Sequence, residues 1–147
     1  MKPVEAAIEY FSESELQCKG SGVIKLDPRF AAALSELRRA WGKPLSTNSV
    51  CRSPEHNKAV GGHPRSLHLT ENPHWDTFGS MAADIRWRAW TIEDQESFAR
   101  LALGQGWRVG LHNGFVHLDR LLDIAPESKK VFLYGTYTGP LYARLKK

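Results

Sequence analysis

The chain has 147 residues, the size of one domain at about 150 residues each, and a chain of that length buries enough surface to hold a core without a disulfide or metal. Hydrophobic residues make up 41% and charged residues 24%, a globular balance that excludes disordered, collagenous and coiled-coil chains. With 20 Lys+Arg against 16 Asp+Glu the net charge is +4, a mild attraction to polyanions such as nucleic acid, anionic lipid or an acidic wall polymer.

The basic residues form no tract. Arg38-Arg39, Lys129-Lys130 and Lys146-Lys147 are the nearest to one, so nucleic acid is not an expected partner. No apolar run reaches the ~18–20 residues of a membrane span, and membrane insertion is not expected. The start, MKPVEAAIEYFSESE, has no apolar centre and turns acidic early, unlike a secretory signal. A protein cytoplasmic as synthesised is the expectation. Cys18 and Cys51 form no CxxC pair and fit two inert thiols better than a disulfide frame.

In chain order, Ser12-x-x-Glu15 is a capping-box pattern that predicts a short helix ending near Gly20–Gly22. Asp27-Pro28 reads as a helix cap and first position. Phe30, Leu34, Leu37 and Trp41 follow at helical spacing, with Gly42 as the stop. Leu45 to Val50 is a strand candidate, and Ser53-Pro54-Glu55 starts a second short helix that ends at Gly61-Gly62. Residues 63–81 carry two prolines and three histidines with little periodicity, which predicts a long ordered loop. Ala82 to Trp87 is a strand, and Thr91 caps a helix ending near Gly104 or Gly106. Trp107 to Leu111 and Phe115 to Asp119 are two strands joined at His112-Asn113-Gly114, where Asn-Gly is a strong hairpin signal. The tail from Val131 to Tyr142 adds a strand or covers the sheet. No internal repeat or linker divides the chain, so residues 1–147 read as a single domain.

Four of the six histidines, His56, His63, His68 and His74, lie between residues 56 and 74; His112 and His117 flank the hairpin turn. Side chains alternate along a strand. Asp84 therefore shares a face with Ala82 and Arg86, and His117 shares one with Asp119, inside otherwise apolar strands. A buried carboxylate is costly unless paired or bound to a metal. Two imidazoles and one carboxylate with an open fourth position suit catalytic zinc. From spacing alone the third ligand is His63, His68 or His74, and an Asp–His or Asp–Arg pair tying two strands together explains the same residues.

The blocks Ser49-Val50-Cys51-Arg52-Ser53-Pro54-Glu55-His56-Asn57, Val60-Gly61-Gly62, Ser66-Leu67-His68, Ala82-Ala83-Asp84-Ile85 and Gly114-Phe115-Val116-His117-Leu118-Asp119, taken in order, resemble the zinc D-Ala-D-Ala carboxypeptidase family. This is the peptidase M15-like, hedgehog/DD-peptidase group, which also holds phage L-Ala-D-Glu endolysins and murein endopeptidases. The resemblance covers roughly residues 10–120. It implies an α+β fold: a small antiparallel sheet with helices packed on one side and the site on the open face. It implies a Zn2+ ion held by His68, Asp84 and His117, with Arg52 facing a substrate carboxylate and Ser66 beside the substrate. The implied activity is hydrolysis of peptidoglycan stem-peptide amide bonds by a monomer, as a D,D-carboxypeptidase or an endopeptidase. With no secretion signal, a phage or prophage lysis or virion protein acting on the cell wall fits.

Three departures from the family pattern matter. Residues 69–83, with Glu71, Pro73, His74, Trp75 and Asp76, look like an insertion between the first two ligands, either a lid or a surface loop, and make His74 a rival to His68. Gly114 stands where several members carry an acid, so the general base is expected elsewhere: Asp119 first, then Glu71 and His112, with Asp119 alternatively only orienting His117. Cys51 stands where an aromatic or small residue is common and reads as a small buried hydrophobe. The competing reading is a non-catalytic, zinc-containing binding module of the same fold.

Overall fold

Alternation along two short segments builds the centre of the sheet. In the computed structural model, which describes residues 10–146, β2 (Ala82–Arg86) pairs antiparallel with β4 (Phe115–Asp119), and Asp84 lies directly opposite His117. The same register puts Ala83 and Ile85 beside Leu118 and Val116 on the other face, all fully buried. Residues 1–9, within the stretch read above as unlike a secretory signal, and Lys147 lie outside the described residues.

Five strands run in the order β1-β2-β4-β3-β5. β1 (Thr47–Ser49) pairs antiparallel with β2, β3 (Arg108–Leu111) antiparallel with β4, and β5 (Val131–Leu133) parallel with β3. The fold is thus α+β with a mostly antiparallel sheet. Helices α2 (Pro28–Trp41) and α4 (Ile92–Gly104) give Phe30, Leu34, Leu37, Phe98 and Ala102 to the same core as Val109, Leu111, Val116 and Leu118. Burying each such side chain contributes about 1.5–3 kcal/mol. The opposite face carries Asp84, His117, Asp119, Arg108 and Gly110.

Local chemistry sets the ends of these elements. The Asp27 carboxylate accepts from the Arg29 N–H, Pro28 opens α2, and Gly42 closes it in the left-handed region at φ 75°. Ser53 caps α3 (Pro54–Ala59) by accepting from the His56 N–H. The capping box of Ser12 and Glu15 forms, but α1 spans only Glu13–Leu16 and stops short of the expected Gly20–Gly22. Gln17 turns extended, the Cys18 N–H bonds Val23 O at 2.8 Å, and Leu16 O is claimed by the Cys51 N–H. β1 is shorter than the expected Leu45 to Val50, and a register irregularity between Thr47 and Ser49 lies within it. The hairpin between β3 and β4 turns without a left-handed residue; the Gly114 N–H bonds the His112 ring at 2.9 Å instead. The tail does both things expected of it: β5 extends the sheet, and a short helix α5 (Leu141–Leu145) buries Leu141 and Leu145 in the core. Among the described residues no helix is long and apolar enough to cross a membrane.

The 63–81 loop is tied down along its length. Arg52 N–H bonds His68 O, Thr70 N–H bonds Arg52 O, and Met81 N–H bonds Leu67 O. Asn72 donates to Ser66 O and accepts from the His74 N–H. Farther on, the fully buried Asp27 accepts from the Phe78 N–H at 3.0 Å and pairs with Arg29, whose guanidinium also reaches Asp76 O. One carboxylate therefore caps α2 and anchors the loop. Replacing it, Asp27→Ala, removes the cap and leaves the Phe78 N–H without its acceptor. We expect a loss of roughly 2–3 kcal/mol in urea unfolding and faster proteolysis within residues 72–79; an unchanged cleavage rate would refute the anchoring role.

Candidate metal centre

Three segments far apart in sequence bring His68, Asp84 and His117 together. β2 and β4 supply Asp84 and His117 as directly paired residues. The pinned loop supplies His68, whose Nδ1 lies 2.8 Å from Val50 O. All three side chains are buried, and one ligand atom from each lies within 4.8 Å of the others. Asp84 Oδ1 sits 3.1 Å from His68 Nε2 and 2.9 Å from His117 Nδ1.

Tautomers follow from the outer partners. A carbonyl oxygen only accepts, so His68 Nδ1 carries a hydrogen. His117 Nε2 lies 2.8 Å from the Asp119 carboxylate, which likewise only accepts, so that nitrogen carries one too. In the neutral rings the remaining nitrogens are lone pairs, and both face Asp84 Oδ1. Two lone pairs aimed at a carboxylate oxygen repel unless a proton or a cation lies among them. The donor set, two imidazole nitrogens and a carboxylate oxygen, suits zinc. Each imidazole is also oriented by a partner on its far nitrogen, the arrangement found behind metal-binding histidines.

Burial and neighbouring charges oppose one another at each member of the trio. Burial alone would raise the Asp84 carboxyl, but the two imidazoles outweigh it and hold the group well below the carboxylate range. Burial would lower His117; hydrogen bonds and charge from Asp119 and Asp84 prevail and push the metal-free ring up to about 9. His68 is lowered by burial despite Asp84, with Arg52 adding to the effect. Asp119, opposed by burial, is held down to about 2 by His117 and Arg108.

The sequence profile of the peptidase M15 family matches residues 9–119. The chain belongs to the peptidase M15 family. The match takes in β1 to β4, the His68 loop and the whole trio, and it stops at the end of β4. None of the curated proteins compared with it matches the chain.

Within this M15 frame, Arg52 lies beside the trio, where it lines a cleft with Asp84, Ser49, His56 and Tyr134. Its Nη1 donates to Asn57 Oδ1 at 3.1 Å, while its buried Nε has no hydrogen-bond partner among the described residues. Ser66 accepts from the His68 N–H at 3.2 Å and lines a second cleft on the other flank with His117, Trp75, Phe132 and Tyr134. His74 is exposed and does not join the trio. Glu71 lines a separate, larger cleft with Lys25 and Lys58. His112 stacks on Phe115 at 4.1 Å. The space over Gly114 is bounded by the Arg88 guanidinium. Cys51 and Cys18 are free and buried, and burial pushes the Cys51 thiol up. The inserted loop thus gives Trp75 to one flank of the site and Glu71 to the neighbouring cleft.

Two aromatic residues on the site face were not singled out from the sequence. Phe132 lies over Arg108 at 4.6 Å and against His117. It reaches there because Gly110, its partner across the sheet, has no side chain; a Cβ at Gly110 would fall 2.7 Å from the Phe132 ring. Tyr134 stacks flat on the His117 ring, centroids 4.7 Å apart and planes 8° apart. The signal was the Phe132-x-Tyr134 alternation, which only a paired strand makes meaningful.

Asp119 is fully used. Arg108 grips both its oxygens at 2.9 and 2.8 Å, the Leu121 N–H bonds Oδ1 at 3.0 Å, and His117 Nε2 bonds Oδ2. Four donors fill the four lone-pair directions of one carboxylate. Removing the fork by Arg108→Met leaves a buried charge short of its partner and is expected to lower stability by about 2–4 kcal/mol. Because the Asp119 carboxyl is depressed in the fold, the fork's contribution is complete above about pH 4 and disappears as the pH falls through about 2. Urea midpoints of the two proteins should therefore differ by a constant amount above pH 4 and converge in acid; a gap that persists at pH 2 contradicts this account.

Proposed function

We propose that the chain acts as a single zinc peptidase domain that hydrolyses amide bonds of peptidoglycan stem peptides. The observation that carries this reading is the convergence of His68 Nε2, His117 Nδ1 and an Asp84 oxygen within 4.8 Å, in a site flanked by clefts and in a chain of the M15 family. His68, Asp84 and His117 would hold the ion. When bound, zinc polarises a carbonyl and lowers the pKa of water. The protein's own groups do the rest.

Arg52 binds a substrate carboxylate. Its guanidinium is steadied by Asn57 yet keeps donors free, and a planar fork suits a carboxylate. Ser66 and Trp75 line the far flank and receive the other side of the peptide. Clefts of about 270 and 360 Å³ on the two flanks of the His117–Tyr134 stack support an endopeptidase, which needs room on both sides of the cut, over a carboxypeptidase. Asp119, with every lone pair filled, acts through His117: it fixes the ring's tautomer and direction and does not receive the water's proton. The same saturation, with glycine at position 114, specifically favours the second reading, a zinc-containing binding module, because among the described residues no free carboxylate stands at the trio.

Purified muropeptides incubated with zinc-loaded protein decide between them. New amines by mass spectrometry support the peptidase; intact peptides at full zinc occupancy favour the module. Metal analysis tests the ligands: His68→Ala and Asp84→Ala should lose zinc and His74→Ala should keep it, and full zinc in His68→Ala would refute the assignment. For Asp119→Asn, competition titration should show zinc bound about 10–100-fold more weakly. Unchanged affinity with abolished turnover would instead make Asp119 the general base.

A further inference from the structure

Tyr134 comes from a part of the chain beyond residues 9–119, yet it sits at the centre of the site. Its N–H bonds Leu111 O at 2.9 Å, continuing the parallel pairing of β5 with β3. Its ring is held flat on His117 and edge-on by Phe115 at 5.6 Å. It lines both clefts, with Asp84 and Arg52 in one and with His117 and Ser66 in the other. Arg52 faces the Tyr134 hydroxyl. A guanidinium only donates, so the phenol oxygen is the acceptor of that pair and the O–H hydrogen points elsewhere. No described residue accepts that hydrogen. The result is a phenol whose ring is fixed on two sides, held protonated because burial and the Asp84 charge outweigh Arg52, with its hydroxyl at the clefts beside the trio.

We propose that the Tyr134 hydroxyl donates a hydrogen bond to the oxygen of the scissile carbonyl as that oxygen becomes negative, an inference that rests on the peptidase reading above. As the water oxygen bonds to the carbonyl carbon, the C=O electron pair moves onto the carbonyl oxygen, and the Tyr134 O–H stabilises it without giving up its proton. The C=O then re-forms, the C–N bond breaks, and one proton of the water leaves on the amine. A donor already aimed at a developing charge needs no reorganisation during the reaction, and removing one such donor in other enzymes costs about 10²–10³ in turnover. Burial and the Asp84 charge raise the phenol above its ordinary value, so the hydroxyl keeps its proton while it donates, and Arg52 remains the group that binds the substrate carboxylate.

Tyr134→Phe keeps the ring, its stack on His117 and the strand, and removes only the hydroxyl. Zinc content and melting temperature should match the parent. On a muropeptide substrate kcat should fall about 100-fold with KM changed less than about threefold. A phosphinate analogue of the scissile bond, tetrahedral and anionic, should bind Tyr134→Phe about 100-fold more weakly by calorimetry, whereas the product peptide binds both proteins alike. Tyr134→His, which retains a ring and a donor, should recover part of the phosphinate affinity. Equal phosphinate affinity in parent and Tyr134→Phe overturns the proposal, as does a loss confined to KM, which would mark substrate grip. A parent that cleaves muropeptides beside an equally active Tyr134→Phe sinks this inference alone. A parent that neither cleaves nor binds the phosphinate sinks the peptidase reading, and this inference with it.

Discussion

The pairing of Asp84 with His117 across β2 and β4 is the constraint on which the site depends. Both strands bury their apolar side chains on one face, so the register is set by the core. Sliding either strand by one residue would send Ile85 and Val116 to the open face and the two polar groups into the core. The polar residues of the site are thus placed by the apolar residues on the opposite face. His68 has no such support from a sheet. It is placed by backbone bonds on either side of it, to Arg52 and Met81, and by its own ring bond to Val50.

A line of polar side chains then runs through the site: Arg108, Asp119, His117, Asp84 and His68. Arg108 and His117 Nε2 donate to Asp119 at 2.8 Å, and His117 Nδ1 and His68 Nε2 lie 2.9 and 3.1 Å from Asp84 Oδ1. Buried charges are tolerated there because each meets its opposite. The line also has a direction. At the Arg108 end all acceptors are satisfied, whereas at the Asp84 end two ring nitrogens compete for one oxygen. The satisfied end holds its geometry, and the strained end is where an incoming cation would gain most.

Much of this was legible in the sequence because it rests on short-range rules. Alternation placed Asp84 with Ala82 and Arg86, and His117 with Asp119, on single faces. Capping patterns at Ser12, Asp27, Ser53 and Thr91 marked helix starts that all form. The ordered blocks singled out His68 over His63 and His74, which spacing alone could not do, and the trio brings His68 in. What stayed hidden depends on distant partners. The early end of α1 reflects the hold of Cys51 on Leu16 O. The saturation of Asp119 requires Arg108 from the neighbouring strand, and nothing local links residues 108 and 119. Phe132 and Tyr134 matter only because β5 joins the far edge of the sheet and Gly110 leaves room.

That late strand has a further consequence for how much chain the site needs. A polypeptide trimmed at residue 119, where the family match ends, would retain His68, Asp84 and His117 and still be incomplete. The outer row of β3 amides and carbonyls would lie bare, an invitation to intermolecular sheet growth. One wall of the His117 pocket would open to bulk water, weakening every electrostatic link inside it. The terminal segment is therefore a wall of both clefts as well as a cover for the sheet edge, and the folded site extends past the residues by which the chain's kinship is recognised.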